Sequence, residues 1–173
     1  MTTHSMVKAV HSLFEPFTSE KISVKNRIVM PPMTRFFSPG GVPGADVAAY
    51  YRRRAANSAG LIITEGTTIN HPAASNHVNI PNFHGEAALH GWAQVVKEVH
   101  EADGKIIPQL WHVGTNRKKE DPIPNPEAPS VGPSGLDVNG ATTSEALTGA
   151  EIQQLYRHMP RQQQMRSELA STG

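Results

Sequence analysis

At 173 residues the chain is long enough for one domain with a real core. Its 16 Lys+Arg against 15 Asp+Glu leave a formal net charge of +1, which makes no electrostatic case for a nucleic-acid or membrane partner. The absence of cysteine removes disulfides, thiolate metal sites and iron–sulfur clusters and suits a cytoplasmic protein. No apolar run reaches the ~18 residues a membrane span needs, and the N-terminus carries no apolar core of signal-peptide type.

Residues 1–12 are expected to be disordered. Leu13-Phe14-Glu15-Pro16-Phe17 reads as an anchoring apolar patch, and Ile22 and Val24, alternating with polar neighbours, as a short hairpin. Ile28, Val29 and Met30 read as a buried core strand. It must stop at Pro31 and Pro32, because proline cannot donate to a strand ladder. Met33 and Thr34 then present stiff backbone and a hydroxyl at a strand's carboxyl end, where parallel α/β folds hold ligands. Taken alone, the segment reads more simply as a strand entering a Pro-rich turn.

Residues 36–44 carry two prolines and three glycines and read as a loop. A helix is predicted from Asp46 to about Ser58, with Val47, Tyr50, Tyr51 and Ala55 inward and Gly60 as its stop. On that helix Arg52, Arg53 and Arg54 point in three directions, so they read as a solvated face rather than a phosphate site. Leu61-Ile62-Ile63-Thr64 is a continuously apolar second strand, as a strand covered on both faces should be. Leu89, Trp92, Val95, Val96 and Val99 fall on one face of a second helix, which Gly104 ends. Ile106 to Trp111 is the third strand, left through His112-Val113-Gly114.

The order strand, helix, strand, helix, strand is the mark of a parallel sheet with right-handed crossovers. Residues 115–141 break it with five prolines and no periodicity, a long loop of the kind tied to binding faces. Thr148 to Glu151 reads as a capping box, with a helix starting near Ala150. From Gln153 to Gly173 no apolar face is expected, since Pro160 and a glutamine run interrupt the pattern. His71, His77, His84, His90 and His100 make no metal set; His90 and His100 stand at the wrong separation for one helix face.

Three strand ends now line up: Met30-Pro31-Pro32-Met33-Thr34-Arg35, Thr64-Glu65-Gly66-Thr67 and Gln109-Leu110-Trp111-His112-Val113-Gly114. With Asn26-Arg27 and Phe83-His84-Gly85 beside them, the chain over about 13–152 resembles the Old Yellow Enzyme family. The resemblance implies an α/β fold: part of an FMN-binding (β/α)₈ barrel, about three of eight parallel strands, with an N-terminal hairpin. It implies FMN as cofactor, NADH or NADPH as reductant, and an activated alkene as the small-molecule substrate. By that resemblance Pro32, Met33 and Thr34 lie against the flavin. Gly66 sits under its pyrimidine half, Gln109 pairs with the O2/N3 edge, and Trp111 shapes the substrate side. Read from the residues alone, Gln109 is a satisfied interior amide, and His112 is a loop histidine bonded to backbone at least as readily as a substrate contact.

The family's His-x-x-His or His-x-x-Asn pair, its following tyrosine and its late phosphate site do not occur in this sequence. No catalytic residue is therefore assigned. Re-read one base out of frame, the codons from Arg157 onward permit an alanine-rich run ending in Gly-Phe-Asp-Gly, as the family has before its fourth strand. The expectation is an aberrant, frameshifted tail over 153–173, and an N-terminal fragment of an FMN-dependent oxidoreductase that is inactive alone. The alternative is a non-enzymatic truncated product, or a partial flavin module needing a separate C-terminal partner.

Overall fold

The computed structural model describes residues 10–118 and 120–159. Residues 1–9 and 160–173, on which most of the expected disordered start and of the expected aberrant tail fall, lie outside the described residues; residues 10–12 are helical.

Two short strands, β1 (Phe17–Thr18) and β2 (Ser23–Val24), pair antiparallel. The core sheet has the order β3-β4-β5, all parallel: β3 (Val29–Met30), β4 (Leu61–Thr68) and β5 (Lys105–Trp111). Helix α1 (Ala45–Ala56) crosses from β3 to β4, and α2 (Glu86–Glu101) from β4 to β5. Helix α3 runs over the described residues 149–159. Its start carries the predicted box: the Thr148 N–H donates to Glu151 Oε2 at 2.8 Å and the Glu151 N–H donates to Thr148 Oγ1 at 3.3 Å.

The alternation of strand side chains divides the sheet into two unlike faces. Met30, Ile62, Ile106 and Leu110 turn toward the helices, where they join Val47, Tyr51, Ala55, Trp92, Val95 and Val99. Val47, Tyr51, Ile62, Val95 and Val99 are wholly buried, each burial being worth about 1.5–3 kcal/mol. The helices are also tied outside the core. Arg52 pairs with Glu98 at 2.8 Å and Glu101 at 3.2 Å, and Arg54 stacks on Tyr50, so two of the three arginines have definite partners.

Several expectations are corrected. Val29 is 47% exposed, because it points to the sheet face that no helix among the described residues covers. Leu61 and Ile63 are half-buried for the same reason, so the start of β4 is not covered on both faces, whereas Thr64 to Thr68 are buried throughout. Leu13, Phe14 and Phe17 are exposed; the Arg27 N–H donating to the Leu13 carbonyl ties that segment in, not its side chains. The glycines after the helices do not take the left-handed turn. Ser58 (φ 73°) and Asp103 (φ 55°) do, and the next amides return to Arg54 and Val99. Gly60 instead lets Asn26 close on the backbone, its added Cβ meeting the Asn26 carbonyl oxygen at 2.6 Å. Finally, α3 has an apolar side through 159. Ile152, Leu155 and Met159, at helical spacing, line a cavity of about 280 Å³ with Ile69, His112 and Leu147.

Candidate functional site

The three strand ends differ in how they stop, and each stop has a sequence cause. β3 ends at Pro31. Beyond it Pro32 is half-buried, Met33 is 45% exposed and Thr34 is exposed, its hydroxyl making no hydrogen bond among the described residues.

β4 and β5 stay in step at Ile63 and Ile107, then resume at Gly66 and Gln109, so Thr64 and Glu65 together oppose Pro108. Proline offers no N–H there, and a bulge results. The Thr64 hydroxyl repairs the ladder: it accepts the Gln109 N–H at 3.1 Å and donates to the Glu65 carbonyl at 2.7 Å. The Thr67 hydroxyl donates to the Gln109 carbonyl at 2.9 Å. Two threonines therefore fix the Gln109 backbone. Its side-chain amide, on the opposite side of β5 from Leu110, has no partner among the described residues, so it is not a satisfied interior amide.

Gly66 is buried, and a Cβ there would run into the Trp111 indole. Trp111 thus lies against Gly66, and its Nε1 is buried with no acceptor among the described residues. A buried donor left without a partner is uncommon and costs about 1–3 kcal/mol.

The bulge re-aims Glu65. Its side chain is fully buried, and its Oε1 accepts from Arg35 Nη2 at 2.6 Å and Nε at 3.1 Å, while Oε2 accepts the Arg35 backbone N–H at 3.1 Å. The guanidinium lies 3.8 Å over the Tyr50 ring. The Glu65 N–H donates to the Tyr51 hydroxyl at 2.9 Å. Burial raises the Tyr51 phenol well above its ordinary range, so it stays protonated. Arg35 and Glu65 stand inside the quoted motifs, yet nothing in spacing alone pairs them. The usable signal was one acid and one base, each at an apolar strand's end.

Beyond β5, His112 is held by backbone. Its Nδ1 accepts the Gly114 N–H at 3.0 Å, and His71 Nδ1 accepts the Ala73 N–H at 3.2 Å. The proton between the rings therefore sits on His112 Nε2, which donates to His71 Nδ1 at 2.9 Å. Burial, followed by the neighbouring His71 and Arg117, pushes His112 down to about 4; burial also lowers His71. Arg117, unread in the sequence, is buried and organises the proline-rich loop. It donates to the carbonyls of Ser75 (3.0 Å), Ala128 (2.7 Å), Pro124 (2.7 Å) and Asn125 (3.0 Å).

Residues 12–162 match the family described as NADH:flavin oxidoreductase / NADH oxidase, and the chain belongs to that family. It is 38% identical to 12-oxophytodienoate reductase 7 of Oryza sativa subsp. japonica over 102 residues, 59% of this chain and 25% of that protein. The solved structure of morphinone reductase in complex with tetrahydroNAD superposes with a TM-score of 0.79 at 34% identity, covering 91% of this chain and 47% of that one. The Old Yellow Enzyme homologue from Zymomonas mobilis gives 0.76 at 30% identity, covering 91% and 46%. The chain thus spans a quarter of that curated relative and about half of each solved structure.

Proposed function

We propose that this chain is the N-terminal part of an FMN-dependent NAD(P)H oxidoreductase of ene-reductase type, its three parallel strands being about three of the eight in a (β/α)₈ barrel. The carrying observation is a pair of polar groups without partners among the described residues, the Thr34 hydroxyl beyond β3 and the Gln109 amide on β5, on either side of side-chain-free Gly66 on β4. A hydroxyl donor and a primary amide fit the polar edge of a flavin ring, so the residues present fit the group there. At Gly66, where the resemblance puts the flavin's pyrimidine half, the side-chain space is taken by the Trp111 indole and not left open to a ring. When bound, FMN supplies hydride transfer from a nicotinamide to an activated alkene. The chain's own part is to orient: Thr64 and Thr67 fix Gln109, and Pro31 and Pro32 stiffen the approach to Thr34. Trp111, which the resemblance puts on the substrate side, packs against Gly66. The relatives' names, an oxophytodienoate reductase and a morphinone reductase, support an oxo-bearing small molecule as substrate.

With no proton donor or phosphate site of the family pattern in the sequence, the chain by itself is expected to be inactive. Titrating FMN into purified chain, followed by flavin fluorescence, and assaying NADPH-dependent enone reduction tests both parts. Saturable binding without turnover is expected. No binding sinks the flavin reading, and a yellow, active chain sinks the inactivity. A second reading, a module completed by a separate C-terminal partner, is favoured by the uncovered sheet face at Val29. No helix among the described residues is long and apolar enough to cross a membrane.

A further inference from the structure

We propose that Glu65 is a positioning residue. Through Arg35 it sets where the Met33–Phe37 segment, and with it Thr34, stands relative to Gly66. The proposal rests on the flavin reading for its purpose, though not for its geometry. Met33, Phe36 and Phe37 are 45%, 47% and 59% exposed, so this segment is not seated by burying its own side chains. Among the described residues, the only backbone N–H from Met33 to Phe37 with a protein acceptor is that of Arg35, and the acceptor is Glu65. The same carboxylate takes both guanidinium bonds. One side chain of β4 therefore grips Arg35 by main chain and side chain together. A fully buried carboxylate that binds one arginine at both oxygens does not drift, because either charge alone in that environment is strongly disfavoured.

The next residue shows what the grip holds. Phe36 sits at φ 60°, a conformation L side chains rarely adopt. Its ring rests on His77 at 4.4 Å. The strained Phe36 backbone is thus braced by Arg35 on one side and by His77 on the other. Glu65 in turn owes its direction to the bulge opposite Pro108, and its N–H is held by Tyr51. The end of β4 therefore aligns two walls of the site at once: Gly66 by its own backbone, and Thr34 through Arg35.

Hydrogen–deuterium exchange on the full chain without FMN tests the geometry. Glu65→Gln is isosteric and uncharged; Arg35→Lys is the milder second variant should the first fail to fold. Ile62→Val, in the helix-covered core, is the control for general destabilisation. Exchange at the residue-35 amide, the one in 33–37 with a protein acceptor among the described residues, is expected to rise at least tenfold in both clamp variants, with α2 and β5 changing less than twofold. The double variant should behave like either single one, because both break one contact. FMN titration of the same proteins should show about a tenfold weaker Kd for the clamp variants and no change for Ile62→Val. Exchange at the residue-35 amide that stays put, or rises no more than in Ile62→Val, overturns the proposal. So does an unchanged FMN Kd alongside raised exchange. If the unaltered chain binds no FMN, the flavin reading fails while the exchange result still decides whether Glu65 positions the segment.

Discussion

The two faces of the β3-β4-β5 sheet carry residues one position apart in sequence and could hardly be less alike. On one, Ile62 is fully buried under α1 and α2 with Trp92, Val95 and Val99. On the other, Val29 is 47% exposed, Ile63 is half-buried, and Gln109 keeps an unpaired amide. A strand's period of two forces this split. The covered face supplies stability. The open face carries groups whose partners are not in the described residues, which is what a ligand-facing surface requires. Hydropathy does not separate the faces, since isoleucine occurs on both.

Breaking the covered face is expected to have the largest effect. Trp92→Ala removes a buried indole from the centre of the cluster, along with its 3.0 Å hydrogen bond to the Asn82 carbonyl. It should cost about 3–5 kcal/mol in a urea melt. Less than 2 kcal/mol would mean that the two helices do not form one core. On the open face, Gly66→Ala drives a methyl into Trp111 and should cost about 1–3 kcal/mol, with a changed Trp111 fluorescence. An unchanged emission spectrum would show that the indole does not lie against Gly66.

The histidine pair beyond β5 should sharpen the contrast through pH. His112 is held near 4 against an ordinary 6.5, so between those values the unfolded chain binds the extra proton. Its stabilising contribution is complete above about pH 6.5 and is lost as pH falls toward 4, with no further loss below. A thermal melt followed from pH 7 to 4 should fall more steeply in the parent chain than in His112→Gln, which does not titrate. Parallel curves would remove the pair from the account. The smallest effect is expected at Val29→Thr, where an exposed methyl is exchanged for a hydroxyl and stability should stay within about 0.5 kcal/mol. A larger loss would show that something covers this face in solution.

The elements themselves were legible because each has a local cause. Helical spacing at Trp92, Val95 and Val99 gave α2; Pro31 stopped β3; Thr148 and Glu151 started α3. The glycine stops were misread for a physical reason. Sequence suggests glycine wherever a helix ends, but Ser58 and Asp103 accept the left-handed turn, while Gly60 and Gly104 are small because Asn26 and Ala55 press on them. The apolar side of α3 was missed because three half-buried residues among polar ones make a weak stripe. In the candidate site, Thr34, Gly66 and Gln109 were reached through resemblance. The contacts that hold them were not, since Arg35–Glu65, His71–His112 and Arg117 with its carbonyls join residues separated by 7 to 42 positions.

By itself the sequence determined the alternation of strands and helices, the places where strands must stop, and the family, because hydrophobic period, proline and motif are properties of neighbouring residues. The tertiary structure decided which isoleucine is core and which is open, that Trp111 is the reason Gly66 has no side chain, and that Glu65 rather than a main-chain ladder holds Arg35. Those outcomes depend on which strand lies beside which, in what register and with which face under the helices, and only the packed chain fixes that.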